Sequence, residues 1–216
     1  MLEEILQQLA ATQTKLIAVS KTKPVEQIQA MYNQGQRIFG ENRVQELVEK
    51  QAVLPKDIEW HLIGHLQTNK VKYIAPFVSM IHAVDSMKLL EEINKQAEKN
   101  DRVIPVLLQF SIAEEATKFG LGIADAVLLM ESEKLPTLKH IQICGVMGMA
   151  TFTDDESVVR KEFQQLKSYY DLLKARYFLH DDQFKEISMG MSGDYKLAIK
   201  EGSTMVRIGS LLFGSR

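Results

Sequence analysis

Residues 16–31 read LIAVSKTKPVEQIQAM and contain one complete copy of the pattern that decides the fold. The apolar run at 16–19 is typical of a short buried strand, and a polar loop follows it. Pro24 stands at a favourable first position for a helix, and the next apolar residues recur at helical spacing. The segment therefore predicts a strand, a loop and a helix in that order.

The same unit recurs along the whole chain of 216 residues. An amphipathic helix near the N-terminus precedes the first unit, and the other strands are expected at 37–39, 58–63, 78–84, 103–110, 140–146, 184–187 and 204–208. Repeated strand–helix units imply parallel strands with right-handed crossovers. Eight units in this length favour closure, so we expect an α/β protein with a single (β/α)8 barrel domain over residues 1–216 and an extra N-terminal helix.

Composition limits where and how the protein acts. The net charge of −2 lacks the basic excess of a nucleic-acid-binding surface. The N-terminus has no signal-peptide pattern, and no apolar run is long enough to span a bilayer. A single cysteine, Cys144, excludes an intramolecular disulfide and suits a reducing compartment. We therefore expect a cytoplasmic protein that binds neither nucleic acid nor membrane.

Two loops at the end of the chain predict a phosphate site. Barrels often bind phosphate with the loops after strands 7 and 8, at the carboxyl ends of the strands. Glycines there allow the backbone to approach an anion closely, and serines add hydroxyl groups. The alternative is that these are turn and capping residues without a ligand. The candidate residues are Gly190, Ser192, Gly193, Gly209 and Ser210.

Lys21 follows the first strand, where its amine would reach the barrel mouth. An amine attacks an aldehyde only when it is unprotonated, and neighbouring cations such as Lys23 and Arg207 favour that form. The alternatives are a solvated loop lysine and a simple charge partner for phosphate.

Arg207 alternates with apolar neighbours on the eighth strand, so it occupies the opposite face and needs an acceptor. A pyridine nitrogen and the carboxylate of Glu41 are the two candidate acceptors. Because arginine does not give up its proton, a pyridine facing it would stay largely unprotonated and act as a weak electron sink.

With these residues in view, the sequence resembles the YggS/PROSC family of homeostasis proteins that bind pyridoxal 5′-phosphate (PLP), related to the N-terminal barrel of alanine racemase. The matching segments are 18–24, 39–45, 60–70, 145–151, 188–194 and 202–214. The resemblance implies a PLP barrel of fold type III in which Lys21 carries PLP as a Schiff base. It also implies that Ser192, Gly209 and Ser210 hold the phosphate, that Arg207 faces the pyridine nitrogen, and that Asn42 lies near the cofactor.

The resemblance further implies a protein of vitamin B6 and amino-acid homeostasis without robust catalysis. The sequence ends at Arg216, soon after the eighth strand, so we expect no second domain to supply an opposing base. A site open to water on that side favours a carrier over a catalyst. The alternatives are a slow PLP-dependent amino-acid racemase and a phosphosugar-type barrel enzyme that does not bind PLP.

The sequence also allows expectations about partners, oligomeric state and metal binding. PLP-dependent apo-enzymes are possible recipients of the cofactor, and we expect a monomer. His61 and His65 stand four residues apart, but no glutamate follows His61 and Gly64 interrupts the turn. We therefore expect no metal site, and we interpret His61 as a packed histidine. The carrier interpretation implies that no residue is catalytic.

Overall fold

The computed structural model describes residues 1–113 and 119–214, and in it eight parallel strands close into a barrel in chain order. The strands are β1 Lys15–Val19, β2 Ile38–Glu41, β3 Glu59–Leu62, β4 Met80–Val84, β5 Ile104–Phe110, β6 Ile141–Gly148, β7 Glu186–Ser188 and β8 Met205–Ile208. The helices of the described ranges are α1 Leu2–Ala10, α2 Val25–Asn33, α3 Val44–Val53, α4 Val71–Ile74, α5 Met87–Lys99, α6 Ile123–Met130, α7 Glu156–Tyr177, α8 Tyr195–Lys200 and α9 Ser210–Phe213. The predicted (β/α)8 barrel with an extra N-terminal helix is confirmed.

Strand alternation divides the apolar residues into two cores. Ile17 and Val19 of β1 belong to a cluster inside the barrel, whereas Leu16 and Ala18 pack in the layer between the strands and the helices. Successive side chains of a strand point to opposite faces, which explains the division. Lys21 stands two residues beyond Val19, at the mouth end of β1.

The helix boundaries differ slightly from the sequence-based expectations. Pro24 lies one residue before α2 in an extended conformation, with φ −68° and ψ 158°, so its predicted place as the first helical residue is wrong by one position. Its missing N–H costs nothing there, because the first amides of a helix have no intrahelical acceptor.

Within the described ranges, no helix has the length and apolar character needed to cross a bilayer.

Gly145 allows β6 to pair with both of its neighbours. Its φ is +152°, and the pairing of β5 with β6 shifts register beside it. A Cβ atom at this position would lie 1.8 Å from the backbone oxygen of Glu186 in β7. Only glycine tolerates this approach, so the seam between β6 and β7 depends on it.

We predict that Gly145→Ala lowers the free energy of unfolding by roughly 3 kcal/mol or more, because the added methyl forces two strands apart. Gly35→Ala is the matched control, since Gly35 also has a positive φ, +99°, but has open space around it. That control should cost only about 1 kcal/mol of backbone strain. Urea unfolding of both variants measures the difference, and equal losses would contradict the steric account.

Candidate functional site

The barrel brings the predicted site residues together on one arc of its mouth. Asn42 follows β2 and Lys21 follows β1, while Arg207 lies in β8. Ser192 comes after β7, and Gly209 and Ser210 come after β8. Because β7, β8, β1 and β2 are adjacent in the closed sheet, these residues are neighbours despite their separation in sequence.

Lys21 lies in a tight turn at the end of β1. The amide of Lys23 donates to the carbonyl oxygen of Ser20 at 3.0 Å, which closes the turn around Lys21. The side chain of Lys21 is half-buried. Within residues 1–113 and 119–214, no hydrogen bond or ion pair engages its amine.

Other lysines near β1 are all engaged, which sets Lys21 apart. Lys15, at the opposite end of β1, pairs with Glu186 at 2.6 Å. Lys23 donates to the carbonyl oxygens of Phe213 and Gly214, at 3.1 and 3.0 Å. Lys23, one of the two cations that were expected to favour an unprotonated Lys21, is thus directed to the end of α9.

The two predicted phosphate loops meet through a hydrogen bond. The amide of Gly209 donates to Oγ of Ser192 at 3.3 Å. Gly190 holds the first loop against α8 with a φ of +93°, and a Cβ atom there would lie 2.5 Å from Cβ of Ala198. Gly193 faces open space, so a larger residue would fit at its position.

Arg207 is buried inside the barrel and bonded on two sides. Its Nη1 donates to Oγ of Ser188 at 2.6 Å, and its Nη2 donates to the carbonyl oxygen of Gly148 at 3.0 Å. Burial lowers the pKa of Arg207 to about 10, so the guanidinium stays charged at neutral pH. Glu41 is not its acceptor: that carboxylate bonds to Ser20 and Lys50 in the layer outside the strands. The alternative based on Glu41 is therefore wrong, because residue 41 alternates to the outer face of β2.

A chain of polar side chains continues from Arg207 across the barrel interior. Oγ of Ser188 lies 3.0 Å from Nδ1 of His82, and Nε2 of His82 lies 2.9 Å from Nδ1 of His61. A guanidinium can only donate, so Ser188 accepts from Arg207 and has its own hydrogen free for His82. The arrangement in which every bond is made then places a hydrogen on Nε2 of both histidines.

This arrangement requires neutral imidazoles, and burial provides them. Desolvation lowers the pKa of His61 to about 3, with a smaller contribution from the charge of Lys15. Desolvation also lowers the pKa of His82 well below its usual range, and the nearby Arg207 acts in the same direction. The interpretation of His61 as a packed histidine is consistent with these contacts. His82 and Ser188 were not identified from the sequence, although strand alternation places both on interior faces.

His61 and His65, which share the spacing of a metal motif, point to different environments. His65 stacks on Phe119 with ring centroids 3.9 Å apart, and its Nδ1 lies 3.8 Å from Oδ2 of Asp85. His61 is bonded to His82 instead. Across the described ranges, no group of three or more His, Cys, Asp or Glu residues is arranged to hold a metal ion.

A cavity of about 570 Å³ lies beside the loop after β7 that was predicted to bind phosphate. Its walls come from α1 and from the beginnings of α7 and α8, and they include Ser192 and Gly193. Lys21 and Arg207 do not line it. The cavity therefore borders the candidate site without containing Lys21.

We predict that neither His61 nor His82 takes up a proton between pH 5 and 8 and that both carry hydrogen on Nε2. Nitrogen-15 NMR of the imidazoles measures the tautomer and the titration directly. Because histidines of the unfolded chain titrate near pH 6.5, the free energy of unfolding should fall as the pH drops below about that value. A titration midpoint between pH 5 and 8 for either histidine, or hydrogen on Nδ1, would contradict the arrangement.

Known proteins with similar sequences cover nearly the whole chain. The sequence model of the alanine racemase N-terminal domain matches residues 3–216. A pyridoxal phosphate homeostasis protein of Aquifex aeolicus is 42% identical over 204 residues, which cover 94% of this chain and 87% of that protein. The human protein of the same name is 39% identical over 221 residues, covering 96% of this chain and 78% of the relative.

Solved structures show the same relationship. PipY of Synechococcus elongatus, solved with PLP bound, superimposes with a TM-score of 0.84 at 35% identity and covers 99% of this chain and 100% of its own. Alanine racemase of Bartonella henselae shares the fold at 20% identity, with a TM-score of 0.72 over 96% of this chain and 59% of that chain. The family model spans nearly the whole sequence, and so do the pyridoxal phosphate homeostasis proteins that are 39–42% identical. The chain belongs to the alanine racemase N-terminal domain family, together with the pyridoxal phosphate homeostasis proteins.

Proposed function

We propose that residues 1–216 form one PLP-binding barrel domain that holds PLP as a Schiff base on Lys21 and takes part in PLP and amino-acid homeostasis. One observation carries the proposal: Lys21 is a half-buried residue at the mouth whose amine has no partner within the described ranges, whereas Lys15, Lys23 and Lys50 are all engaged. An amine without a counter-charge on a half-buried residue is suited to a covalent partner. Relatives named for PLP homeostasis and the PLP-bound PipY support the choice of cofactor.

The residues present fit the phosphate end of PLP. The phosphate would lie at Ser192, Gly209 and Ser210, where the loops after β7 and β8 already meet in a hydrogen bond. A serine hydroxyl and backbone amides are suitable donors to phosphate oxygens. The open space at Gly193 leaves room beside this loop.

The residues present also fit the pyridine ring of PLP. Two of the five N–H groups of Arg207 have acceptors within residues 1–113 and 119–214, so donors remain for a pyridine nitrogen. Asn42 would lie beside the cofactor at the end of β2. PLP supplies an electron sink when it is bound. An arginine that keeps its proton leaves that sink weak, which favours holding PLP over using it.

A carrier role also has implications for where the protein acts and with which partners. We propose that the protein acts in the cytoplasm as a monomer and that PLP-dependent apo-enzymes receive its cofactor. The names of these relatives support a role in PLP homeostasis. The racemases resemble this chain at 15–20% identity, which concerns the fold alone.

We expect PLP to give the purified protein a visible Schiff-base absorption that Lys21→Ala abolishes. Lys23→Ala is the matched control in the same turn, and it should keep the absorption because its amine bonds to backbone carbonyls. Absorption spectra of the three proteins at equal PLP concentration decide the question. A phosphosugar enzyme that never binds PLP would show no such band, and a band that survives Lys21→Ala would overturn the assignment.

The alternative of a slow racemase makes its own prediction. A racemase exchanges the α-proton of its amino acid with solvent, and Lys21→Ala should stop that exchange. We predict no exchange above the rate of free PLP when a panel of amino acids is incubated with the loaded protein in deuterated water. Proton NMR measures it, and exchange that depends on Lys21 would favour the racemase.

A further inference from the structure

A buried cluster of polar side chains lies behind the Lys21 turn, on the outer side of the barrel wall. The ammonium of Lys50, on α3, lies 2.7 Å from Oε1 of Glu41 and 2.6 Å from Oε1 of Glu46. The side chain of Lys50 is 7% exposed and that of Glu41 is fully buried. Oγ of Ser20 donates to the same oxygen of Glu41 at 2.6 Å. Lys50 thus has several acceptors in a place where an unpaired charge would be costly.

Both flanks of Lys21 are tied to this ammonium. On one side, Nζ of Lys50 donates to the carbonyl oxygen of Ser20 at 2.7 Å. On the other side, the amide of Thr22 donates to Oε1 of Glu46 at 2.5 Å, and the same oxygen accepts from Lys50. The residues before and after Lys21 are therefore anchored to one point, while the amine of Lys21 itself has no partner within the described ranges.

The backbone of the turn needs such an anchor. Thr22 has a φ of +63°, a left-handed conformation that is unfavourable for a β-branched residue. Strained conformations of this kind persist where the surrounding contacts fix them, and they occur at functional sites. The bond from the Thr22 amide to Glu46 holds this residue, in addition to the bond from the Lys23 amide to Ser20 that closes the turn.

We propose that Lys50, acting through Glu46 and Ser20, is a positioning residue that fixes the Lys21 turn so that its amine is ready to bond an aldehyde. The inference rests on the proposed function of Lys21. Lys50 does not touch the cofactor in this proposal. It lowers the conformational freedom that Lys21 would lose on bonding, and preorganisation of this kind strengthens binding.

The test compares two ligands that differ only in the aldehyde. PLP can bond to Lys21, whereas 4-deoxypyridoxine 5-phosphate keeps the ring and the phosphate but cannot. Glu46→Ala removes the acceptor of the Thr22 amide. The side chain of Glu46 is 23% exposed, so the fold should survive its loss. Glu49→Ala is the matched control, since Glu49 lies on the same helix and bonds only to the exposed Gln45 among the described residues.

Glu46→Ala should weaken PLP about tenfold, because the freed turn must be ordered when Lys21 bonds, and leave the deoxy ligand unchanged. Glu46→Gln, which retains an acceptor, should restore most of the affinity. Lys50→Met should weaken PLP further where it folds, and amide exchange of Thr22 in PLP-free Glu46→Ala should be faster than in the Glu49→Ala control.

Each other outcome overturns the inference in a recognisable way. Equal weakening of both ligands would mean a general structural role for Glu46 rather than positioning of Lys21. Unchanged PLP affinity in Glu46→Ala would remove the positioning role while leaving the Schiff base intact. If the wild-type protein bound the two ligands equally well, the proposed function itself would fail, and the inference with it.

Discussion

The pairing of β1 with β8 is the constraint on which the rest of the molecule depends. Its register places Ile17 opposite Arg207 and Ala18 opposite Ile208, so the two ends of the sequence form one continuous wall. Gly209 is thereby held close to Val19, where a Cβ atom would lie 3.2 Å from the Val19 carbonyl oxygen. The loops proposed to hold phosphate and the proposed Schiff-base residue Lys21 become neighbours only because this last seam closes. An open sheet with the same strands would leave them at opposite edges.

Two polar networks approach that seam from opposite sides of the wall. Inside the barrel, the neutral chain of His61, His82 and Ser188 ends on the guanidinium of Arg207. Outside it, Lys50 and its carboxylates hold the turn that carries Lys21. Buried polar groups are costly unless they are bonded, and each member of the two networks makes at least one hydrogen bond to another group. In the proposed complex the inner network orients the donor to the ring, and the outer network orients the amine. Such a site holds its cofactor by preorganised groups, in keeping with a carrier.

The sequence predicted the parts of this arrangement that are local. Eight apolar segments at regular spacing were sufficient for the barrel, because each strand–helix unit carries its own pattern. The positions of Lys21, Ser192, Gly209 and Ser210 at the carboxyl ends of strands followed from the same count. The partners of Arg207 did not follow, since its contact with Ser188 depends on how neighbouring strands are staggered. Lys50 was missed for a related reason: a lysine on an amphipathic helix is usually solvated, and only the packing of α3 against β2 buries it.

The covalent position of PLP is the most direct test of the account. The protein is loaded with PLP, reduced with borohydride, digested and mapped by mass spectrometry. We predict that the phosphopyridoxyl group is found on the peptide that contains Lys21 and at that residue alone. Modification of Lys23, Lys50 or any other lysine in place of Lys21 would contradict the central claim.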